Sequence, residues 1–275
     1  MRGGELKHVV GVVALAAGVF LAVAAGIPEW KRWQYREVRQ ALLDELQPVA
    51  LSNCTLARVG SANDGGYLMC ANLISGIQVA YSYGVGPNDQ WGCAVSRQHR
   101  VQVHQYDCFD PARPTCDGGQ FVFHNECIAD QSQTMDGRVF DTLVRQLAQN
   151  GDTGRRKVVK IDIEGAEWSA LLQTPDEVLD SIDQIPMELH GVHEQRMVDV
   201  VRKLKRTFHV VNLHFNNHGC AREADPLPAM AYQVLLVNKR LGVLDPAAPN
   251  PAPYNPLNAP DLPVVPDCQL ERSSQ

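Results

Sequence analysis

Residues 77–89, IQVAYSYGVGPND, contain the feature that decides the fold: an apolar run that ends in two closely spaced glycines. β-Branched and aromatic residues dominate Ile77–Tyr83, which is typical of a buried strand. Gly84 and Gly86 follow directly, and glycine lets a backbone turn sharply and approach a ligand closely. We therefore predict a strand that carries a ligand-binding turn at its end. A nicotinamide cofactor is not expected, because Asp89 stands where the dinucleotide fingerprint needs a third glycine.

The alternation of strands and helices continues along the chain. Six further runs have the composition of strands: Val101–Tyr106, Phe121–Phe123, Lys157–Ile163, Ile182–Leu189, Phe208–Leu213 and Tyr232–Val237. Helical patterns separate them over Gln90–Gln98, Asp136–Asn150, Glu167–Leu172 and Glu194–Arg206. This order predicts an α/β fold, with a seven-stranded, mostly parallel sheet and helices on both faces. Only a loop separates the last two strands, so we expect the final strand to pair antiparallel.

The two ends of the chain differ in composition from this core. Residues 9–27 are nineteen positions without a charged side chain, and a helix of about 28 Å matches the hydrocarbon thickness of a bilayer. We predict a transmembrane anchor there, with a cleaved signal peptide as the alternative. Eight prolines in Pro246–Pro266 predict a disordered tail, because proline removes backbone donors. The predicted division is a short N-terminal flank (1–8), the anchor (9–27), a stalk helix (28–50), the folded domain (51–243) and the tail (244–275).

The eight cysteines indicate where the domain is located, and the formal net charge of -6 restricts the class of partner. An even set of cysteines suits disulfides in an oxidising compartment, and Asn53-Cys54-Thr55 is a sequon for N-glycosylation. The basic residues on the two sides of the anchor do not decide its orientation. We expect a single-pass membrane protein whose domain lies in the secretory lumen or outside the cell. A bridge such as Cys116 to Cys127 would staple one loop, although spacing leaves the connectivity open. The acidic balance argues against a nucleic-acid partner.

Polar side chains stand at the predicted ends of several strands, and ligands of open α/β sheets bind outside these carboxyl ends. Asp107 closes the strand after Gly84, twenty-three residues further along the chain. A carboxylate at this offset accepts the hydroxyls of a ribose. Asp162 and Glu164 have the period-two spacing of one strand face, and two neighbouring carboxylates need a cation or hydrogen-bond donors. These residues predict a ligand site.

Histidines occupy the predicted ends of later strands. Two sets share one strand face each: Glu188 with His190, and Asn212 with His214 and Asn216. The imidazoles indicate a general base or, alternatively, a metal pocket together with Asp162 and Glu164. Because no tight ligand spacing such as HExxH is present, we predict no metal.

The string KIDIEGAEW at residues 160–168 resembles the signature of the FkbM-type methyltransferases and of the related methyltransferase-like membrane proteins of eukaryotes. Further segments match in order and spacing: Arg58-Val59-Gly60 with Asn63-Asp64-Gly65-Gly66-Tyr67-Leu68, Ser82-Tyr83-Gly84-Val85-Gly86, and Met187-Glu188-Leu189-His190. The resemblance covers residues 59–239. It implies the Rossmann-like fold of class I methyltransferases and S-adenosylmethionine as the methyl donor.

The resemblance also implies roles for individual residues. Those that would bind the cofactor are Ser82, Gly84 and Gly86 at the methionine part, Asp107 at the ribose, and Asp162 near the reacting end. The chain departs from the class at one point, since Tyr81 or Ser82 stands where an acidic residue usually precedes the glycine turn. Asp64 or Asp162 is then the candidate for the contact with the cofactor's amino group.

The combined prediction is an S-adenosylmethionine-dependent methyltransferase, acting on oxygen of a small or glycan-type acceptor at a membrane. The candidate catalytic residues are Glu164, Glu188 and His190, of which Glu188 or His190 would remove the acceptor's proton. Two alternatives stay open. A membrane anchor followed by a domain that carries the pair Asp162 and Glu164 is compatible with a metal-dependent glycosyltransferase. The departure at Tyr81 is compatible with a non-catalytic lumenal binding module.

Overall fold

A computed structural model describes residues 29–221, 224–253 and 255–270. Its helices are α1 (Glu29–Glu45), α2 (Gln90–His99), α3 (Leu143–Gln149), α4 (Glu167–Gln173), α5 (Asp176–Asp180) and α6 (Gln195–Thr207). Its strands are β1 (Leu56–Gly60), β2 (Gly66–Cys70), β3 (Val79–Tyr83), β4 (Gln102–Tyr106), β5 (Gln120–His124), β6 (Glu126–Ile128), β7 (Gln133–Met135), β8 (Arg138–Asp141), β9 (Lys157–Ile161), β10 (Ile182–His190), β11 (Phe208–Phe215) and β12 (Ala231–Asn238).

Seven of these strands form the main sheet, in the order β11-β12-β10-β9-β3-β4-β5. All pairs among β10, β9, β3, β4 and β5 are parallel. The last strand, β12, lies between β10 and β11 and is antiparallel to both. The predicted α/β class and the seven-stranded, mostly parallel sheet are therefore confirmed. After β3 the chain continues to β4 and β5 on one side of this strand, and β9 then pairs on its other side. This reversal creates a switch point between β3 and β9, and open sheets bind ligands at such points.

The centre of the sheet is buried on both faces. Every residue of β3 and β9 is buried, as expected for parallel strands with helices packed on either side. The helix predicted as a stalk belongs to the same core, because Leu42 and Leu46 of α1 are fully buried in its largest apolar cluster. Glu45 also forms ion pairs with Arg202 and Lys205 of α6. The folded unit thus begins before residue 51.

Two predicted boundaries are wrong. The helix predicted over residues 136–150 is a strand followed by a short helix, because Arg138–Asp141 pairs with both β6 and β7. Thr142 then caps α3 by accepting a hydrogen bond from the backbone of Arg145. The strand predicted to Ile163 ends at Ile161, because the chain turns at Glu164, whose φ is +57°. Asp162 and Glu164 therefore belong to the turn after β9 and not to the strand itself.

All eight cysteines form disulfides: Cys54–Cys70, Cys93–Cys116, Cys108–Cys127 and Cys220–Cys268. The bridge suggested between Cys116 and Cys127 is wrong, since each of the two pairs with a different partner. Four disulfides indicate an oxidising, secretory or extracellular location. The sequon residue Asn53 has a structural role here, because its side-chain amide donates to the Leu241 carbonyl at 2.8 Å.

The Pro-rich tail contains no helix or strand within residues 245–253 and 255–270. It is not detached from the domain, however, as the prediction of disorder implied. Asn63 donates to the Pro260 carbonyl at 2.7 Å, and both the amide and the carbonyl of Leu262 bond to Asn217. The Cys220–Cys268 disulfide fixes its far end. The tail thus lies across the carboxyl edge of the sheet.

The predicted anchor over residues 9–27 lies outside the described residues. Among the helices that the structure describes, none is long and apolar enough to cross a membrane.

Candidate functional site

A cavity of about 550 Å³ opens at the switch point between β3 and β9. Three segments line it: Ser61, Asp64 and Gly65 from the β1–β2 turn, residues 84–91 after β3, and Lys160 with Asp162 at the end of β9. Volumes from about 300 to 1,000 Å³ are typical of small-molecule sites. The glycine turn predicted from the sequence therefore borders a cavity of suitable size, and Asp162 and Asp64 reach it from opposite segments.

The glycine turn depends on the absence of side chains at two positions. Gly84 has a φ of +72°, and a Cβ atom built on it would lie only 1.6 Å from the Asp162 carbonyl oxygen. The turn is therefore packed directly against the backbone that follows β9. Gly86 has a φ of +51° and nothing within 4 Å of an added Cβ. A side chain at Gly86 would consequently enter open space beside the cavity.

Asp107 stands at the end of β4, where the sequence places it, and holds the glycine turn. One carboxylate oxygen accepts the backbone N–H groups of Val85 and Gly86, at 3.1 and 3.2 Å. The other accepts those of Phe109 and Asp110, both at 2.9 Å. A carboxylate offers about four lone-pair positions, so these backbone donors occupy all of them. In this structure Asp107 positions the turn and presents no free acceptor to a ribose.

Lys160 lies beneath the turn, and sequence analysis gave it no role. Its ammonium donates to the carbonyls of Tyr83 and Gly84, at 3.2 and 2.6 Å, and lies 3.4 Å from a carboxylate oxygen of Asp162. The side chain is almost fully buried. The available signal was the second lysine of the strand KVVKI, which lies between apolar residues, since a buried ammonium needs acceptors.

A second group of ionisable residues adjoins the cavity through Asp162. We call it the acid–histidine cluster, and it comprises Asp162, Glu164, Glu167, Glu188 and His190. The imidazole is its centre, and carboxylate oxygens surround both ring nitrogens. Nε2 lies 3.5 Å from Glu188, 3.5 Å from Glu164 and 4.0 Å from Asp162. Nδ1 lies 3.3 Å from Glu167. The predicted catalytic residues therefore do converge, although one strand, β10, and the left-handed turn after β9 supply them.

The surrounding acids determine the charge of His190. Burial by itself would lower the pKa of the imidazole, but hydrogen bonds to Glu167 and Glu188 and the charges of these carboxylates outweigh it. The pKa of His190 is raised from 6.5 to about 10. The imidazole therefore carries a proton at neutral pH, and in this state it cannot accept another. This geometry does not support the predicted use of His190 as a general base.

Glu167 and two side chains outside the cluster hold it in place, and the sequence did not reveal these roles. Glu167 is fully buried and accepts the backbone N–H groups of His190 and Gly165, at 2.6 and 2.8 Å. The Tyr67 hydroxyl donates to Asp162 at 2.9 Å, and Asn216 donates to Glu188 at 2.8 Å. Only Glu167 had a visible signal, as part of the KIDIEGAEW string at the start of a predicted helix.

The tail adds one more carboxylate beside the cluster. Asp261 is only 9% exposed, and its Oδ1 atom has no hydrogen-bond partner among the described residues. Burial and the nearby carboxylates of Glu188 and Asp64 raise the pKa of Asp261 to about 7. No local signal in a Pro-rich segment could have indicated this position.

Other predicted site residues lie elsewhere. Ser82 is fully buried in β3 and does not line the cavity. Asn212 bonds to Asn258 of the tail, and Nε2 of His214 lies 3.1 Å from Asp267. Of the three polar residues expected on the β11 face, only Asn216 reaches the acid–histidine cluster.

Comparison of the chain with protein-family models and with curated proteins finds no match.

Proposed function

We propose that the protein is an S-adenosylmethionine-dependent methyltransferase that acts on an oxygen acceptor. One observation carries the proposal: the glycine turn after β3 borders a cavity whose other wall, Asp162, belongs to the acid–histidine cluster. A donor in the cavity and an acceptor at the cluster would then be neighbours. The seven-stranded sheet with an antiparallel last strand agrees with the class I methyltransferase fold that the sequence resemblance implies, and this agreement is an analogy of fold.

The lining of the cavity suits this cofactor. Gly84 and Gly86 both line the cavity, and the backbone at Gly86 is open to it, because a Cβ there would meet only open space. Asp64 and Asp162 supply carboxylates for the amino group. When bound, the cofactor supplies a methyl group already activated on a sulfonium, so the protein's main contribution is positioning.

The residues of the cluster would handle the acceptor. An acceptor hydroxyl must lose its proton, and the protonated His190 leaves a carboxylate as the base. Glu188 is the candidate, because Asn216 orients it and it is almost entirely buried. Glu164 is 87% exposed and stands at the solvent side of His190, where it is available to contact an entering acceptor. The small or glycan-type acceptor inferred from the resemblance remains part of the proposal.

A leucine at Gly86 tests the cofactor site. The variant Gly86→Leu should reduce S-adenosylmethionine binding at least tenfold, because the side chain would enter the space beside the cavity. Isothermal titration calorimetry on the full-length chain in mild detergent measures this. Gly137→Leu is the matched control, since Gly137 also has a positive φ and open space around an added Cβ. Unchanged affinity in Gly86→Leu, or an equal loss in both variants, would refute the assigned site.

A thermal-shift comparison separates the proposal from its alternatives. We expect S-adenosylmethionine to stabilise the protein and a nucleotide sugar with Mn²⁺ to add nothing beyond Mn²⁺ alone. Stabilisation by the nucleotide sugar would instead favour a glycosyltransferase. No shift with either ligand would favour a non-catalytic module.

A further inference from the structure

Three potential metal ligands converge in the acid–histidine cluster. One ligand atom from each of Asp162, Glu188 and His190 lies within 4.8 Å of the others. The separation from Nε2 to Glu188, 3.5 Å, is at the outer limit of a hydrogen bond, and that to Asp162, 4.0 Å, is beyond it. Atoms that share a cation at about 2.1 Å are themselves separated by a little over 3 Å. The spacing therefore suits groups arranged around an ion.

The imidazole is presented as metal-binding histidines are. Nδ1 faces the buried carboxylate of Glu167 at 3.3 Å, which leaves Nε2 directed at the other acids. Histidine ligands commonly donate their second ring nitrogen to a carboxylate, which fixes the tautomer and raises the basicity of the ligating nitrogen.

Both carboxylate ligands are oriented in the same manner. Tyr67 and Lys160 occupy one oxygen of Asp162, at 2.9 and 3.4 Å, and the other oxygen is the one nearer His190. Asn216 holds Glu188. Each of the three groups thus has an outer partner, so all are fixed before any ion enters.

The burial of Asp261, in the tail, is an independent observation that points to a ligand at this position. This residue is more than nine-tenths buried, it interacts electrostatically with Glu188 and Asp162, and its Oδ1 atom has no partner among the described residues. The anchored neighbours Pro260 and Leu262 hold it there. A buried carboxylate oxygen without a donor beside other carboxylates is costly, and a cation would remove that cost.

We propose that Asp162, Glu188 and His190 bind one divalent cation, Mn²⁺ or Zn²⁺. The buried carboxylate of Asp261, which interacts electrostatically with Glu188 and Asp162, adds negative charge beside the same ion. One imidazole among carboxylates suits these ions better than Mg²⁺ or Ca²⁺, which prefer oxygen ligands alone. The site does not depend on the methyl-transfer proposal, because cation binding is measured without any methyl donor. Binding of the ion releases the Nε2 proton of His190, because only a neutral imidazole is a ligand. If both proposals hold, the ion, instead of an unbound Glu188, would activate the acceptor oxygen.

Direct titration tests the site. The full-length chain in mild detergent is stripped with a chelator, dialysed and titrated with Mn²⁺, and electron paramagnetic resonance reports the free ion. We expect one Mn²⁺ per chain and an electron spin-echo modulation from one imidazole nitrogen. Zn²⁺ should compete with Mn²⁺, while Mg²⁺ and Ca²⁺ should compete at least tenfold less well. The absence of stoichiometric Mn²⁺ and Zn²⁺ binding, or binding without the imidazole signal, would overturn the proposal.

Conservative variants locate the site. Asp162→Asn with Glu188→Gln should weaken Mn²⁺ binding by more than a hundredfold. Tyr67→Phe removes only the hydroxyl that orients Asp162 and should cost about tenfold, the lower end for outer partners. The control is Glu177→Gln, an exposed carboxylate on α5, which should change nothing. If the double variant fails to fold, Tyr67→Phe still decides, because an affinity equal to that of Glu177→Gln would overturn the assignment.

The contribution of the tail has its own variant. Asp261→Asn should weaken Mn²⁺ binding about tenfold, because it removes one nearby negative charge and leaves the three ligands intact. Equal affinity in this variant and in the parent chain would overturn the part assigned to the tail.

Discussion

Two histidines buried in the same sheet, His104 and His190, have opposite charge states. His104 lies in β4 against the rings of Tyr81 and His124, and burial above all lowers its pKa to about 4. His190 ends β10 and has a pKa raised to about 10. Burial disfavours the charged form in both cases, so the difference comes from the neighbouring groups.

The number of available carboxylates explains the contrast. His104 has one acid nearby, Asp152, whose oxygens already accept hydrogen bonds from Tyr81 and Arg155, both at 2.7 Å. His190 has four acids within 4.0 Å of its ring. Among the described residues no arginine pairs with these acids, and one lysine pairs with Asp162. A carboxylate whose charge is already neutralised does little to raise the pKa of a histidine. Several carboxylates that are not fully neutralised keep the imidazole protonated. The β4 histidine is therefore structural, and the β10 histidine is the centre of the acid–histidine cluster.

The largest effect is expected from removing the charged imidazole. In the metal-free chain, His190→Leu should lower the free energy of unfolding by about 3–5 kcal/mol, because it leaves the fully buried Glu167 without its charged counter-ion. Urea denaturation at pH 7 in the presence of a chelator measures the change. A loss below about 1 kcal/mol would mean that His190 is not the counter-ion of Glu167, and the comparison would fail.

The neutral histidine should appear in the pH dependence of stability. The folded-state pKa of His104, about 4, lies below the ordinary value of 6.5. The unfolded chain therefore binds more protons between these values, so stability falls as the pH drops from about 6.5 to about 4. This residue contributes on the order of 3 kcal/mol to that loss. We expect the free energy of unfolding of His104→Gln, measured by denaturation at each pH, to fall by about that amount less over this range than in the parent chain. Parallel curves for the two proteins would contradict a neutral His104.

The smallest effect is expected at the rim of the acid–histidine cluster. Glu164 is 87% exposed, so Glu164→Gln should change the free energy of unfolding by no more than about 1 kcal/mol, as for surface ion pairs. The same urea titration measures it beside His190→Leu. A loss comparable with that of His190→Leu would show that proximity alone, and not burial, determines which acids matter.

Local sequence patterns predicted the strands of the main sheet and the glycine turn, because these elements depend on residues that are neighbours in the sequence. The seven sheet strands follow from short apolar runs, and the glycine turn from two residues that tolerate positive φ. The error at residues 136–150 has the opposite origin. Val139 and Phe140 fit the apolar face of a helix, but they pair with β6 and β7 across the fold. Such pairing is invisible to periodicity.

The sequence by itself thus determined the strand order along the chain, the turn at Gly84–Gly86, and acids and histidines at the strand ends. Only the tertiary structure decided which cysteines pair, that the tail brings Asp261 to the site, that backbone donors saturate Asp107, and that His190 is protonated. The reason is physical. Strands and turns depend on a residue and its neighbours in sequence, whereas a disulfide, a protonation state or a ligand set depends on groups that only folding brings within a few ångströms.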